Sequence, residues 1–233
     1  SRGLGDVYKR QEGTLAVVCE AKLRLTKLPK YKHLLVVKYE NFDDALSDAE
    51  ILVESSPSAI ETIDEKILSL ARTDEIYNKI KSFIADETDN SGEKIRPTRT
   101  INLIEFKGNN KKKLEQRIAS LCKIVDRNKN KSGKATGYYK TTDPKEIIDL
   151  WNLRKKGVGL LGKTAGERKP IPFIEDTAVP VKNLARYISD FKKLLDSYNL
   201  EYAMYGHVDV GCLHVRPALD LKKPDEEREI LFK

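Results

Sequence analysis

The strongest chemical signal in the sequence is the glycine-containing segment Tyr205-Gly-His-Val-Asp-Val-Gly-Cys-Leu-His-Val-Arg-Pro217. It contains two of only three histidines, His207 and His214, seven residues apart. Residues at an odd separation on an unbroken strand point to opposite faces, so these imidazoles meet only if the backbone bulges or turns. Gly211 is the residue that would permit such a turn. Two neutral imidazoles form half of a divalent-metal site, with Asp209 as the nearest further ligand; otherwise both histidines are ordinary polar residues of a half-buried strand.

A second signal is a cationic, glycine-rich stretch that follows a predicted helix. Trp151-Asn-Leu-Arg154 stands at the end of that helix, and Gly157-Val-Gly-Leu-Leu-Gly162 and Lys169 come next. Arginine binds a carboxylate through two parallel hydrogen bonds and lysine adds a point charge, so Arg154 and Lys169 beside the histidines would suit an anionic organic acid. On the alternative interpretation the glycines end the helix and Arg154 is a solvated surface charge. The glycines do not follow a strand and open a helix, so they form no dinucleotide-binding fingerprint.

The composition describes a globular protein with a heavily charged surface. A chain of 233 residues that is 39% hydrophobic and 34% charged can bury the core of one large domain. No apolar run approaches the roughly 20 residues of a membrane-spanning helix. Three separated cysteines without a Cys-x-x-Cys pair exclude a zinc knuckle or an iron–sulfur run within this chain and favour a reducing compartment. The net charge of +7 is spread over scattered clusters, which argues against a nucleic-acid partner.

The hydrophobic periodicity predicts an α+β fold that would position these residues. Strands are predicted over 21–25, 33–40, 101–107, 135–140 and 201–216, with an extended stretch over 171–179 and a loop over 86–99. Helices are predicted over 41–55, 57–71, 73–85, 111–125, 144–155 and 181–198, and Gly157 is expected to end the fifth of them. Because this order mixes hairpin-like and crossover steps, we predict an antiparallel sheet with helices packed on one side, as one ferredoxin-like sheet or its duplication.

Several segments resemble the C-terminal, substrate-capping domain of the FAD-linked oxidases of the vanillyl-alcohol oxidase superfamily, which includes D-lactate, glycolate and D-2-hydroxyglutarate dehydrogenases. The resemblance covers nearly everything from Glu12 onward. The segment from His207 to His214 is similar to the family's Gly-His-x-Gly-Asp-Gly-Asn-Leu-His, whose histidines hold a divalent metal. The other matching motifs are Glu12-Gly-Thr-Leu15, Pro57-Ser-Ala-Ile-Glu61 with Asp64, Trp151-x-x-Arg154, and Asp176 to Pro180. The most similar subgroup is that of long bacterial enzymes in which this module is fused to an iron–sulfur domain.

The resemblance implies an activity for the intact protein, the oxidation of a D-2-hydroxy acid of the D-2-hydroxyglutarate or D-lactate type to the 2-oxo acid by FAD. Arg154, helped by Lys169, would bind the small anionic acid. Cys212 stands where most members have a substrate-contacting asparagine. His207 and His214 would hold Zn, Mn or Fe, whereas the third ligand and the catalytic base would lie outside this chain.

The resemblance also implies a division of the chain. Residues 12–29 would be the end of the FAD-binding domain, and 30–233 the cap domain without its C-terminal part. Residues 1–11 have no hydrophobic period and are expected to be a tag, a tail or foreign sequence. Glu12, Gly13 and Thr14 would lie near the flavin. The rest of the FAD-binding domain is therefore an expected partner, an iron–sulfur cluster would lie elsewhere in the parent, and the chain alone should be inactive. The expected location is the cytoplasm, with peripheral attachment to the inner membrane as a variant of that expectation.

Two other classes of function stay open. A non-catalytic binding or assembly module could retain the cap fold without turnover, and the presence or absence of a flavin spectrum bears on that alternative. A nucleic-acid-binding α+β domain would associate with DNA or RNA in a steeply salt-dependent way.

Overall fold

The computed structural model describes residues 19–88, 94–129, 131–223, 227, 229 and 230. The first part of the chain contains β1 (Tyr31–Tyr39), α1 (Phe42–Ser47), α2 (Ala49–Glu54), β2 (Ala59–Ile63), α3 (Glu65–Arg72), α4 (Tyr77–Ile80), β3 (Glu87–Thr88), β4 (Lys94–Arg96), β5 (Thr100–Gly108), α5 (Lys111–Asn128) and β6 (Gly137–Thr141). The second part contains α6 (Pro144–Gly162), β7 (Lys169–Pro170), β8 (Ile174–Ala178), α7 (Val181–Ser197), β9 (Tyr202–His207), a 3-10 turn (Val208–Val210) and β10 (Cys212–Leu219).

The main sheet consists of two halves that meet edge to edge. Its order is β6-β1-β5-β2-β9-β10-β7, with β8 also paired to β10, and each of these pairings is antiparallel. The order β6-β1-β5-β2, with α1 and α2 between β1 and β2 and α5 between β5 and β6, is that of a ferredoxin-like unit. The strands β8, β9 and β10 repeat the first three positions of that unit, with α7 as the crossover helix. The predicted α+β class and antiparallel sheet are confirmed. Of the two alternatives left open, one ferredoxin-like sheet or its duplication, the structure has the second.

Helices cover both faces of the sheet, so the prediction of one-sided packing is wrong. On β1, Leu35 and Val37 are fully buried against the face that carries α1, α2, α5 and α7. Leu34 and Val36 are equally buried against the opposite face, which carries α3, α4 and α6. A strand that is buried on both faces has an unbroken apolar run instead of an alternating one. The first face holds the helices expected of the ferredoxin-like unit, and the additional helices cover the second.

The strand β2 lies where the sequence predicted a helix. Residues 59–63 form the fourth strand of the sheet, between β5 and β9, and Ile60, Thr62 and Ile63 are almost fully buried there. A short β-branched run is compatible with either a buried helix or a buried strand, and here pairing on both sides favours the strand. The helix is limited to α3, which begins after Asp64, because that side chain accepts a hydrogen bond from the Ile67 backbone N–H at 3.0 Å.

The helix α6 is longer than predicted, because Gly157 does not end it. The helix continues to Gly162, and Leu160 and Leu161 beyond Gly157 are buried. A Cβ placed on Gly157 would lie 3.6 Å from the Ile67 side chain, so this position is at the contact of α6 with α3. Burial of the leucines offsets the roughly 1 kcal/mol that an interior helix glycine costs. Elsewhere the helix predicted over 41–55 is divided into α1 and α2, and that over 73–85 is reduced to α4.

The strand predicted over 21–25 is not present. Residues 19–29 have no regular secondary structure, and Leu23 and Leu25 are 78% and 91% exposed. An alternating pattern forms a strand only beside a partner that takes its backbone hydrogen bonds, and no described strand pairs with this segment. The tail 1–11 and the predicted flavin contacts Glu12, Gly13 and Thr14 lie outside the described residues. Within the described ranges, no helix combines the length and the apolar character that crossing a membrane requires.

Candidate functional site

The turn between β9 and β10 brings the two histidines together. After the 3-10 turn, Gly211 adopts a left-handed conformation with φ of 68°, and the chain reverses so that Cys212 lies opposite His207. His214 then lies opposite Tyr205, on the same face of the sheet as His207. The centroids of the two imidazole rings are 5.3 Å apart. The two histidines could meet only if the backbone turned, and the structure has that turn at Gly211.

Glu61 on β2 connects His207 to Arg154 of α6. Glu61 is directly opposite His207 in the β2–β9 ladder and is 7% exposed. Its Oε1 lies 2.5 Å from His207 Nδ1, and its Oε2 accepts a hydrogen bond from Arg154 Nε at 2.7 Å. A carboxylate acceptor at Nδ1 favours the tautomer whose lone pair is on Nε2, the form in which imidazole binds a metal. One carboxylate therefore contacts both an imidazole and a guanidinium.

Tyr205 forms an aromatic floor beneath these groups. Its side chain is almost fully buried, and Arg154 Cζ lies 4.6 Å from the ring centroid. Arg216 Cζ lies 5.6 Å from the same centroid, and the His214 ring is 5.0 Å away. Guanidinium groups at such distances are attracted by the face of the ring. The cluster therefore combines two guanidinium groups with the Glu61 carboxylate. A guanidinium group can bind an anionic ligand.

Asp209 lies near the cluster but does not complete a metal site. Burial is the largest cause of its raised pKa, and the negative charge of Glu61 raises the pKa further, while a hydrogen bond with the Ile60 backbone lowers it. Among the described residues, no group of three or more His, Cys, Asp or Glu side chains is arranged to hold a metal ion. The two histidines therefore provide half of a site and Asp209 does not add the third ligand.

The structure brings Cys212 to the cluster but not Lys169. Cys212 is partly buried and shares the face of His207, its partner in the β9–β10 ladder. Lys169 pairs with Leu219, five residues beyond His214 on β10, which corresponds to about 16 Å along a strand. The Lys169 ammonium donates instead to the Thr164 carbonyl at 2.5 Å. Its help to Arg154 stays a prediction that this arrangement does not support.

Sequence reasoning missed the roles of Glu61, Tyr205 and Arg216. A charged residue within a buried β-branched run is a signal of a functional or ion-paired group. That signal could be used only if residues 59–63 were assigned as a strand, because the contact of Glu61 with His207 follows from the register of β2 and β9. The aromatic floor likewise depends on the hairpin register that places Tyr205 opposite His214.

Comparison with known families identifies the class of protein to which this chain belongs. The model of the family "FAD linked oxidases, C-terminal domain" matches residues 28–231. The chain belongs to that family, and the resemblance inferred from the motifs is confirmed.

Similar proteins include much longer bacterial enzymes. The chain is 45% identical over 224 residues to a D-2-hydroxyglutarate dehydrogenase of Haemophilus influenzae, which covers 95% of this chain and 21% of that protein. The enzyme of the same name from Escherichia coli is 42% identical with the same coverage. The chain thus spans about a fifth of the length of these relatives. The structure of 4-ethylphenol oxidase from Gulosibacter chungangensis matches with a TM-score of 0.53 and 13% identity, over 90% of this chain and 44% of that one, and shows a shared fold.

Proposed function

We propose that this chain is the substrate-capping part of an FAD-dependent dehydrogenase that oxidises a D-2-hydroxy acid of the D-2-hydroxyglutarate type to the 2-oxo acid. The family membership and the names of the long relatives support this activity. The observation that carries the proposal is that Arg154 and His207 contact one buried carboxylate, that of Glu61. The ring centroid of a second histidine, His214, lies 5.3 Å from that of His207. This arrangement combines an acid-binding group with half of a metal site.

Arg154 is the proposed binding group for the carboxylate of the substrate. Its bond to Glu61 uses Nε, so the two terminal nitrogens are not engaged by that bond and can form a bidentate pair with a carboxylate. The side chain is 15% exposed, which reduces competition from water. Arg216 lies on the same aromatic floor and is a second cationic side chain at this site.

His207 and His214 are the proposed metal-binding residues. The tautomer favoured by Glu61 fits a metal ligand, and the remaining ligands would come from outside the described residues. A divalent ion bound there would polarise the hydroxyl and carboxylate of the acid. In this proposal Arg154 binds the acid beside the two histidines.

The flavin is proposed to be supplied by the rest of a longer polypeptide, as the length of the relatives suggests. FAD, when bound, accepts the hydride from the substrate carbon. The contacts of Glu12, Gly13 and Thr14 with the flavin and the boundary of the flavin domain at residue 29 are part of this proposal, as are a cytoplasmic location and any attachment to the inner membrane.

The test uses the full-length protein purified with FAD. We expect D-2-hydroxyglutarate to bleach the flavin absorbance under anaerobic conditions, and His207→Ala and His214→Ala each to lower turnover about 100-fold or more and to lower bound metal. His33→Gln is the matched control, because His33 is buried on β1 away from the cluster. Unchanged turnover and metal content in both histidine variants would refute the metal role. No flavin reduction by either D-2-hydroxyglutarate or D-lactate would favour the non-catalytic module.

A further inference from the structure

Glu61 contacts two side chains to which different tasks are proposed. We propose that Glu61 is a positioning residue shared by the acid-binding Arg154 and the metal-binding His207, and that it orders both groups before either ligand arrives. This inference rests on the proposed function and adds a residue that orients the site without touching the substrate or the metal.

The geometry of Glu61 argues for positioning and against direct ligation. Both carboxylate oxygens are engaged, Oε1 with His207 Nδ1 and Oε2 with Arg154 Nε. The side chain is 9% exposed. Its backbone is fixed opposite His207 by the β2–β9 ladder, in which paired Cβ atoms lie about 4.5–5.5 Å apart. Each oxygen keeps a second lone-pair site, but the described residues around Glu61 form no group arranged to hold a metal ion.

The same carboxylate has a separate effect on each partner. For His207 it fixes the ring orientation and the tautomer, and loss of such a partner typically lowers metal affinity about 10- to 100-fold. For Arg154 it fixes the plane of the guanidinium group at the end of a long side chain. The two terminal nitrogens are then already oriented to donate two parallel hydrogen bonds to a carboxylate. We expect loss of that anchor to weaken acid binding about tenfold, because small errors in orientation are costly at bidentate sites.

The experiment measures the two affinities separately in the full-length protein. Zn²⁺ is titrated calorimetrically without acid, and 2-oxoglutarate is titrated into metal-free protein. In Glu61→Gln both affinities should fall, about 10- to 100-fold for Zn²⁺ and about tenfold for 2-oxoglutarate. A folded variant in which either affinity is unchanged overturns the shared role.

Two further variants separate position from charge. Glu61→Asp keeps the charge but is shorter by one C–C bond of about 1.5 Å, so it should restore at most one of the two affinities. Restoration of both would show that charge alone matters and would overturn the inference. Glu105→Gln is the matched control, because Glu105 is a buried carboxylate on neighbouring β5 that pairs with Lys107 outside the cluster. Both affinities should stay within about twofold there.

The Glu61→Gln variant requires a substitute in case it does not fold. Glu61→Gln leaves the Arg154 guanidinium partly buried without its carboxylate, which destabilises the fold. If it does not fold, the charge-balanced double variant Glu61→Gln/Arg154→Gln replaces it, and an unchanged Zn²⁺ affinity there overturns the inference. A different result would contradict the proposed function itself: Zn²⁺ affinity that is unchanged in His207→Ala. If His207→Ala lowers Zn²⁺ affinity as expected but Glu61→Gln leaves both affinities unchanged, only the proposed role of Glu61 is rejected.

Discussion

Replacing Gly211 by alanine should disrupt the turn that brings the histidines together. Gly211 has φ of 68°, and an ideal Cβ there would lie 1.8 Å from the Val179 carbonyl oxygen. The left-handed conformation costs a non-glycine residue about 1–2 kcal/mol, and relief of a steric overlap typically costs about 1–3 kcal/mol. We therefore expect Gly211→Ala to lower the free energy of unfolding by about 3 kcal/mol.

The assay is chemical denaturation of the full-length protein together with Zn²⁺ titration. Gly159→Ala is the matched control, because Gly159 lies inside α6 and an added Cβ would meet no atom within 4 Å. The control should raise the free energy of unfolding by about 0.5–1 kcal/mol, since alanine is the better helix former. Gly211→Ala should also weaken Zn²⁺ binding, because the β10 backbone must shift relative to His207.

The two glycine variants thus have predicted effects of opposite sign. Equal, small changes in unfolding free energy would refute the claim that backbone conformation and the contact with Val179 both require glycine at position 211. A destabilised Gly211→Ala protein with unchanged Zn²⁺ affinity would instead separate the turn from the metal half-site.

Two further predictions concern Asp64, which follows β2, and Arg154 of the cluster. Burial raises the pKa of Asp64 to about 6, although hydrogen bonds from the Ile67 and Met204 backbone oppose this shift. The folded state therefore retains this proton after the unfolded state has lost it, so the Asp64 contribution to stability is greatest below about pH 4 and falls by about 3 kcal/mol as the pH rises to about 6. Asp64→Asn should remove that part of the pH dependence in urea unfolding between pH 4 and 7, and an unaltered slope would contradict the assignment. Arg154→Lys keeps the charge but loses the planar fork, so KM for D-2-hydroxyglutarate should rise about 10-fold or more with a smaller change in kcat. A KM within about twofold of the parent value would show that Arg154 does not bind the acid.

The sequence was sufficient for elements with a long or distinctive pattern. The amphipathic run of α5 and the β-branched runs of β1 and β5 were predicted with small errors at their ends. Short segments were not decided locally: the run from Ala59 to Ile63 suits a helix or a strand, and its position between β5 and β9 determines which forms. The two-sided burial of Leu34 and Leu35 was visible as an unbroken apolar run, a feature that one-sided packing does not explain.

The candidate site was predicted in part for the same reason. The types and spacing of His207, His214 and Gly211 showed that the two imidazoles could meet only through a bulge or turn, and left open whether they do. The structure has that turn, which divides the strand predicted over 201–216 into β9 and β10. Their connection to Arg154 through Glu61 requires the β2–β9 register, which is a tertiary property. Lys169 was selected because it is near Arg154 in sequence, but the course of β7 places it beside Leu219.

The ladder between β2 and β9 is three residue pairs long, from Glu61–His207 to Ile63–Tyr205, and it joins the two ferredoxin-like halves. The first half contributes Glu61 to the cluster and the connecting helix contributes Arg154, whereas both histidines come from the second half. A polypeptide cut in the connection at residues 163–168 would yield two pieces, neither of which contains the whole cluster. Ligand affinity should return only when the two pieces reassociate through that short ladder. Pairing of β2 with β9 and assembly of the ligand-binding cluster would therefore occur together.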